Sequence, residues 1–496
     1  MSCHSPMIGE EFTRADVEEA ARTGRLLSME IEFSLRCNYR CQYCYVEQTG
    51  DTAGEMAPDE IRDVILQARD LGARKIIVLG GEPMIYPHIM DMLAFIRQHG
   101  MHAEMFTNGT HVTPETAHRL YDLGVQVVLK MNSFDEAIQD ELAGVRGAYR
   151  TIQAAFDSLR AAGYPADGHL MAVSTIICAQ NLPEVTRLWQ WLRDQDITPY
   201  FEIITPQGNA RDHNGLEVDL PTLHKVFGEL SEIDRTRYNH HWDPQPPLVG
   251  DRCLRHQFSC LVSAFGTVRP CVGVTLPVGN VREQKLADIL RDSEIIGDLR
   301  RYKQTIRGPC AACEKASVCY GCRGAAYQLT GDYLASDPLC WRNAGREAEI
   351  MTLPVEAGKL IPQQAPLKVA DRLMSVGERV AVVETDLRTD SVFVRADGTL
   401  DPAAYLELIA QAAAAMNGFR ATRRDSPEPE GYLLGARNLE ILGPARVGDT
   451  LSVRVFKATR YGDFGIIEGA VSRGETLLAK GEIKVWHKTG AAVPAA

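Results

Sequence analysis

LSMEIEFSLRCNYRCQYC (Leu27–Cys44) is the stretch on which the reading of this chain turns. Leu27–Leu35 has the composition of a strand. It runs directly into Cys37, Cys41 and Cys44, spaced C-x3-C-x2-C. The chain has 13 cysteines. A second group follows far downstream: Cys253, Cys260, Cys271, Cys310, Cys313, Cys319, Cys322 and Cys340. Only Cys3 and Cys178 stand outside the two groups. Three thiolates in one tight loop can hold three irons of a four-iron–four-sulfur cluster and leave the fourth iron open to an exchangeable ligand. The alternative is a zinc site or a surface thiol cluster. Zinc wants a fourth protein ligand nearby, and the nearest candidate, His4, is far away in sequence.

The chain's length, 496 residues, sets an expectation of two to four domains. No apolar run approaches the roughly 20 residues of a membrane span. Met1–Arg14 has no apolar signal core. These features lead to an expectation of a cytoplasmic protein, with no membrane partner. In that compartment cysteine clusters are metal ligands more often than disulfides. A net charge of −12 argues against a general nucleic-acid binder.

Working outward from the loop, strand and helix signals alternate. Residues 10–24 read as a charged amphipathic helix. Pro58–Leu71 reads as a helix, with an early Pro and Gly72 after its end. Lys75–Leu79 is a short apolar strand that runs into Gly80-Gly81-Glu82-Pro83. Further strands end at Asn108-Gly109 and at Asn132-Ser133, and two more cover His169–Ile177 and Tyr200–Ile204. About six βα units imply an α/β fold with a parallel sheet, short of a full eight-stranded barrel. From about 240 to 345 the alternation fades into cysteine-bearing loops. Met351–Pro366 holds three prolines and reads as a linker. Beyond it, Pro402–Asn417 is an Ala-rich helix capped by Asp401 and ended by Gly418. Four alternating strands follow within 433–486. The expected domains are 1–240, 241–350 and 367–496, with 351–366 as the linker.

The cysteine loop, with Tyr43 before its last Cys, resembles the signature of the radical S-adenosylmethionine (radical SAM) enzymes. Gly80-Gly81-Glu82-Pro83, at the end of the next strand, matches the family motif that holds the methionine amine of the cofactor. Glycine lets the backbone approach closely, and a carboxylate accepts from the ammonium. Ser133, and Arg146 thirteen positions later, match family positions that contact the cofactor's ribose and carboxylate. The resemblance implies a partial (β/α)6 TIM-like barrel with its motifs at the C-terminal strand ends, where such barrels place their sites. It also implies reductive cleavage of S-adenosyl-L-methionine to a 5′-deoxyadenosyl radical. An electron donor such as flavodoxin or ferredoxin is implied with it.

The eight downstream cysteines are similar to the SPASM domain, which carries two auxiliary clusters. Gly266–Glu283 (GTVRPCVGVTLPVGNVRE) matches its hairpin. By that resemblance Cys253, Cys260, Cys271 and Cys322 hold the nearer cluster, and Cys310, Cys313, Cys319 and Cys340 the farther one. Three four-iron–four-sulfur clusters are therefore expected. The Cys319–Cys322 gap is one residue shorter than usual in that family. Sulfatase maturases of the family place an Asp base directly after the position of Cys271; Val272 stands there in this chain, which argues against formylglycine formation. His240-His241-Trp242, Asp251 and Arg252 either line a substrate cleft or lie in solvated loops. Cys178 reads as a small buried residue and Cys3 as part of a terminus.

Asp401–Phe419, with the strands after it, resembles the hotdog fold of hydroxyacyl carrier-protein dehydratases. Glu407, four residues before Gln411, falls at their catalytic carboxylate. Their His base has no counterpart: the tail's one histidine is His487. Dehydration without a base is not expected, so the tail is read as a docking or homodimer-forming domain. Auxiliary clusters suit a reaction in which the substrate radical loses a second electron. The expectation is an oxidoreductase that modifies a peptide by cross-linking, epimerisation or oxidation. The alternative is a small metabolite, or an acyl group tethered to a carrier protein or coenzyme A and docked by the tail.

Overall fold

The computed structural model describes residues 12–46, 52–166, 168–250, 252–346, 349–350, 353–377, 379–424, 431–461 and 464–487. Cys3, His4 and Asp251 lie outside them. Two units divide the chain: Met1–Leu329 with Leu334–Ile350, and Thr330–Tyr333 with Met351–Ala496.

The first unit opens with α1 (Arg14–Thr23), shorter than the expected 10–24, with Thr13 and Asp16 forming a capping box. Six βα steps follow: β1 (Ser28–Glu32), α2 (Pro58–Asp70), β2 (Lys75–Leu79), α3 (Ile89–Gln98), β3 (His102–Thr107), α4 (Pro114–Asp122), β4 (Gln126–Lys130), α5 (Glu136–Ala143), α6 (Ala148–Ala162), β5 (Met171–Ile177), α7 (Val185–Arg193), β6 (Thr198–Ile203) and α8 (Leu220–Ile233). Adjacent strands from β1 to β6 pair in parallel. This is a partial TIM-like barrel.

The sheet continues where the sequence signal fades. β7 (Leu261–Val262) pairs in parallel with β1, and β8 (Thr267–Arg269) and β9 (Gly279–Asn280) extend it antiparallel, for nine strands in the order β6-β5-β4-β3-β2-β1-β7-β8-β9. These strands hold two or three residues each, too few for a period of two to register. The cysteine-rich region, read as a separate domain from 241, therefore shares a sheet and a compact unit with the barrel. Short helices α9 (Leu286–Asp292), α10 (Glu294–Arg300), α11 (Tyr302–Thr305) and α12 (Arg323–Thr330) support it.

The second unit is an antiparallel sheet of β10 (Val355–Glu356), β11 (Arg372–Val376), β12 (Val380–Asp386), β13 (Gly431–Ile441), β14 (Thr450–Tyr461), β15 (Phe464–Arg473) and β16 (Thr476–His487), in the order β10-β11-β12-β14-β15-β16-β13. Helix α13 (Ala404–Arg424) packs on it. Two expectations are corrected here. The expected linker 351–366 is, over its described residues 353–366, not free: β10 pairs with β11, and Ala357, Leu360 and Ile361 join the domain's core. Gly418 does not end α13. A Cβ there would stand 1.9 Å from the Leu360 carbonyl oxygen, so the glycine serves close approach rather than capping.

Candidate radical and iron–sulfur site

β1 carries the site's logic in its alternation. Met29, Ile31 and Phe33 join the apolar core. Ser28 and Glu30, on the opposite face, line a cavity of about 340 Å3, and Glu32 accepts from the Tyr45 hydroxyl at 3.2 Å. Cys37, Cys41, Tyr43 and Cys44 line the same cavity, as do Gly80, Gly81 and Glu82. Sequence-distant elements converge at the C-terminal ends of the strands.

The cysteine loop is held by backbone on three sides. Gly81 N donates to Ser34 O (2.9 Å) and Glu82 N to Arg36 O (2.8 Å). Arg40 N donates to Ala143 O and Gln42 N to Leu142 O, both at 3.0 Å, at the end of α5. Asn209, after β6, donates through N to Cys44 O (2.9 Å) and through Nδ2 to Cys41 O (3.1 Å). Gly81 is required here: a Cβ would stand 2.0 Å from Arg36 O. The missing side chains let the Gly80-Gly81 strand end close directly on the Ser34–Arg36 backbone, which holds the cysteine loop beside the cavity.

Glu82 is 3% exposed. Its carboxylate accepts from Asn108 N (2.6 Å), Thr107 Oγ1 (2.7 Å) and Met84 N (2.9 Å). Burial lifts it to about 7, and the Asn108, Met84 and Thr107 donors act against that rise. Burial likewise pushes the free thiols up, Cys37 to about 11 and Cys44 to about 12. Among the described residues no three His, Cys, Asp or Glu side chains converge on one ion. Cluster thiolates each bind a different iron and stand farther apart. Three thiols and the Glu82 carboxylate on one cavity fit a cluster with a ligand beside it.

The same cavity is also lined by Cys253, Cys271 and Cys322. Their loops meet through glycine: a Cβ on Gly273 would stand 2.6 Å from the Gly324 Cα. Val274 N donates to Cys271 Sγ and Ala325 N to Cys322 Sγ, both at 3.3 Å. Cys310, Cys313, Cys319 and Cys340 gather apart. Burial raises Cys340 to about 12, with Asp337, Cys310 and Cys319 adding to it. Cys313 N donates to Cys310 O at 3.4 Å. Gly321 N reaches Cys319 Sγ and Asn343 Nδ2 reaches Cys310 Sγ, both at 3.3 Å. N–H groups aimed at sulfur stabilise thiolate and tune a bound cluster.

Some expected residues stand elsewhere. Ser133 is fully buried, and its Oγ donates to Glu184 Oε2 at 2.7 Å. Arg146 is exposed on the turn between α5 and α6. Neither lines the cavity: the carboxylate of Glu184, just before α7, occupies Ser133, and the turn carries Arg146 to the surface. Cys260 does not line it either; it is buried in the apolar core. Trp242 is tied through Nε1 to Asp234 Oδ2 at 2.9 Å, and His240 and His241 do not line the cavity. Arg252 does. Cys178 packs with Leu142 and Leu216.

Sequence reasoning missed the cavity's charged floor. Lys75 pairs with Glu104, and Arg255 with Glu30, all on or beside the inner face. Arg255 also donates to the Tyr200 hydroxyl at 3.3 Å. Lys130 sits 4.9 Å from the Tyr43 ring centroid and beside Glu202. The available signal was a polar residue at every second position of β1 (Ser28, Glu30 and Glu32), where a buried parallel strand is normally apolar on both faces.

Comparison with known proteins agrees with this geometry. Residues 31–186 match the radical SAM superfamily, residues 253–314 the SPASM iron–sulfur cluster-binding domain, and residues 355–493 the ApeP dehydratase family. The chain is an enzyme built of a radical SAM domain, a SPASM domain and a C-terminal ApeP-like hotdog domain, and its cofactors are S-adenosylmethionine and iron–sulfur clusters. Its relatives include the AdoMet-dependent heme synthase of Methanosarcina barkeri, 27% identical over 350 residues that cover 65% of this chain and 98% of that protein. The PqqA peptide cyclase of Streptomyces rochei is 28% identical over 362 residues, covering 67% and 96%. Streptococcus suis SuiB bound to S-adenosylmethionine shares the fold, with a TM-score of 0.51 and 17% identity over 66% of this chain and 80% of that one. No helix among the described residues is long and apolar enough to cross a membrane.

Proposed function

We propose that this chain oxidises a peptide, using one radical-generating cluster and two auxiliary clusters, each of the four-iron–four-sulfur kind. One observation carries the reading: a single cavity is lined both by the three-cysteine loop and by Cys253, Cys271 and Cys322. When bound, the first cluster and S-adenosylmethionine supply a radical that takes hydrogen from an unactivated C–H bond, and the auxiliary clusters supply a sink for the electron left behind.

The chain's own residues bind and position. Cys37, Cys41 and Cys44 hold the first cluster. Glu82, fixed by its three donors, accepts the cofactor's ammonium, and Gly80 and Gly81 admit the methionine backbone. Pro83 turns the chain away behind them, and Tyr43 flanks the cluster. The floor of Glu30, Arg255, Tyr200 and Lys130 meets the substrate's polar groups. Its charges are paired, so it offers hydrogen bonds without a net unbalanced charge. Cys310, Cys313, Cys319 and Cys340 hold the farther cluster. The first electron enters from a protein such as flavodoxin or ferredoxin.

The peptide assignment is supported by the peptide cyclase relatives and by the polar floor. The ApeP-like domain favours a second reading, in which the substrate is an acyl group tethered to a carrier protein. Anaerobic incubation with reductant, S-adenosylmethionine and either candidate peptides or acyl-carrier conjugates separates them by mass. A peptide lighter by two hydrogens, or cross-linked, is expected. Change in the acyl conjugate alone would replace the peptide reading with the second one.

A further inference from the structure

The assignment of Cys260 to the nearer auxiliary cluster conflicts with its position. β7 pairs with β1 in the register Glu30↔Leu261 and Ile31↔Val262. Side chains alternate along a strand, so Cys260 shares the outward face with Val262, and Ser259 and Leu261 share the inward one. Two observations fix which face is which. Ser259 lines the cavity and its hydroxyl meets that of Ser28, also on the cavity face of β1, at 3.2 Å. Cys260, at 1% exposure, belongs to the apolar core together with Met29 and Ile31. Three of the four expected ligands thus face the cavity, and the fourth points away from it.

A different donor stands with the three. His256 lies one short turn beyond Cys253 and lines the same cavity as Cys253, Cys271 and Cys322. It is 4% exposed. Its Nδ1 is buried and has no hydrogen-bond partner among the described residues. A buried ring nitrogen without a partner is costly unless a ligand satisfies it. Its ring is also fixed: Tyr320 packs against it with centroids 5.5 Å apart, and the Tyr320 hydroxyl accepts from His256 N at 3.4 Å while lying 4.0 Å from Cys253 Sγ. Imidazole replaces thiolate at iron in known iron–sulfur centres.

We propose that the nearer auxiliary cluster is held by Cys253, His256, Cys271 and Cys322, with Cys260 outside the ligand set. This rests on the reading above that the SPASM region holds a cluster beside this cavity. The test uses the reconstituted full-length enzyme grown with 15N-histidine, without S-adenosylmethionine and reduced. Pulsed electron paramagnetic resonance then reports nitrogen bound directly to a cluster. A strong histidine nitrogen coupling is expected. It disappears in His256→Ala and in His256→Cys, the latter keeping the iron content of the parent. Cys260→Ala keeps both the iron and the coupling, and Cys271→Ala loses iron. Auxiliary iron present without histidine coupling overturns the proposal on the parent protein alone, whatever the variants do. Loss of auxiliary iron from a folded Cys260→Ala protein overturns it equally. A parent protein that binds only ~4 irons rather than ~12 overturns the two-cluster reading itself, and the two failures are thereby distinguished.

Discussion

At the scale of single residues the site turns on Glu82. Its carboxylate is saturated by three donors on one side and faces the cavity on the other. Glu82→Gln removes one charge-assisted hydrogen bond, about 1.5–3 kcal/mol. That corresponds to a roughly 10–100-fold loss of S-adenosylmethionine affinity, measurable by calorimetry on the cluster-loaded protein. The pH dependence has a definite sign. Burial holds the carboxyl at about 7 in the free protein. Docking of an ammonium favours the ionised form, so below that value binding expels a proton. Affinity should rise with pH and level off above about 7. Calorimetry in buffers of different ionisation enthalpy counts the proton. A pH-independent affinity would remove the ammonium from Glu82. The GGEP tetrapeptide was legible in the sequence because glycine and a lone acid after an apolar strand make a compact local pattern. Glu184, which occupies Ser133, was not: it lies 51 positions away and meets Ser133 only through the fold.

At the scale of elements, the cysteine loop is positioned by close backbone contact. Gly81→Ala drives a Cβ against the Arg36 carbonyl. It should cost about 1–3 kcal/mol in the barrel and lower iron retention at the first cluster, read as a drop in thermal midpoint together with iron per chain. Unchanged values for both would show that the loop tolerates displacement. In the tail, Gln411 is fully buried. Its Oε1 accepts from Val369 N (2.8 Å) and Ala370 N (3.1 Å), and its Nε2 donates to Leu367 O (2.8 Å) and Glu407 Oε1 (2.7 Å). Gln411→Ala strands two backbone donors and should destabilise the tail domain by about 2–4 kcal/mol, seen as an earlier unfolding transition. Six strands were legible because each runs five to seven residues between clear breaks. β7–β9 were not, since two or three residues carry no period. Cys260 shows the same limit more sharply: spacing counts cysteines, but the strand face decides which of them reach a cluster.

At the scale of the whole molecule, one cavity is lined by Cys37, Cys41 and Cys44 and also by Cys253, Cys271 and Cys322, whereas Cys310, Cys313, Cys319 and Cys340 do not line it. Initiation and electron removal therefore belong to separable cysteines. Cys310→Ala should lower iron per chain yet still yield 5′-deoxyadenosine, while the oxidised product falls at least tenfold; product formed at the parent rate would relieve the farther cluster of any role in turnover. The ApeP-like tail was legible as a fold through its Ala-rich helix and alternating strands, yet substrate choice was not. The residues proposed to meet a substrate, such as Lys130, Tyr200 and Arg255, come from three separate segments and come together only as lining of one cavity.

The central claim is that the Cys37, Cys41 and Cys44 loop, with Glu82, cleaves S-adenosylmethionine reductively. The most direct measurement is 5′-deoxyadenosine released by the anaerobically reconstituted full-length enzyme after addition of reductant and S-adenosylmethionine, beside a Cys41→Ala variant treated identically. The account predicts reductant-dependent 5′-deoxyadenosine from the parent and none above background from the variant. An iron-loaded parent that releases none, or a variant that matches it, would contradict the account.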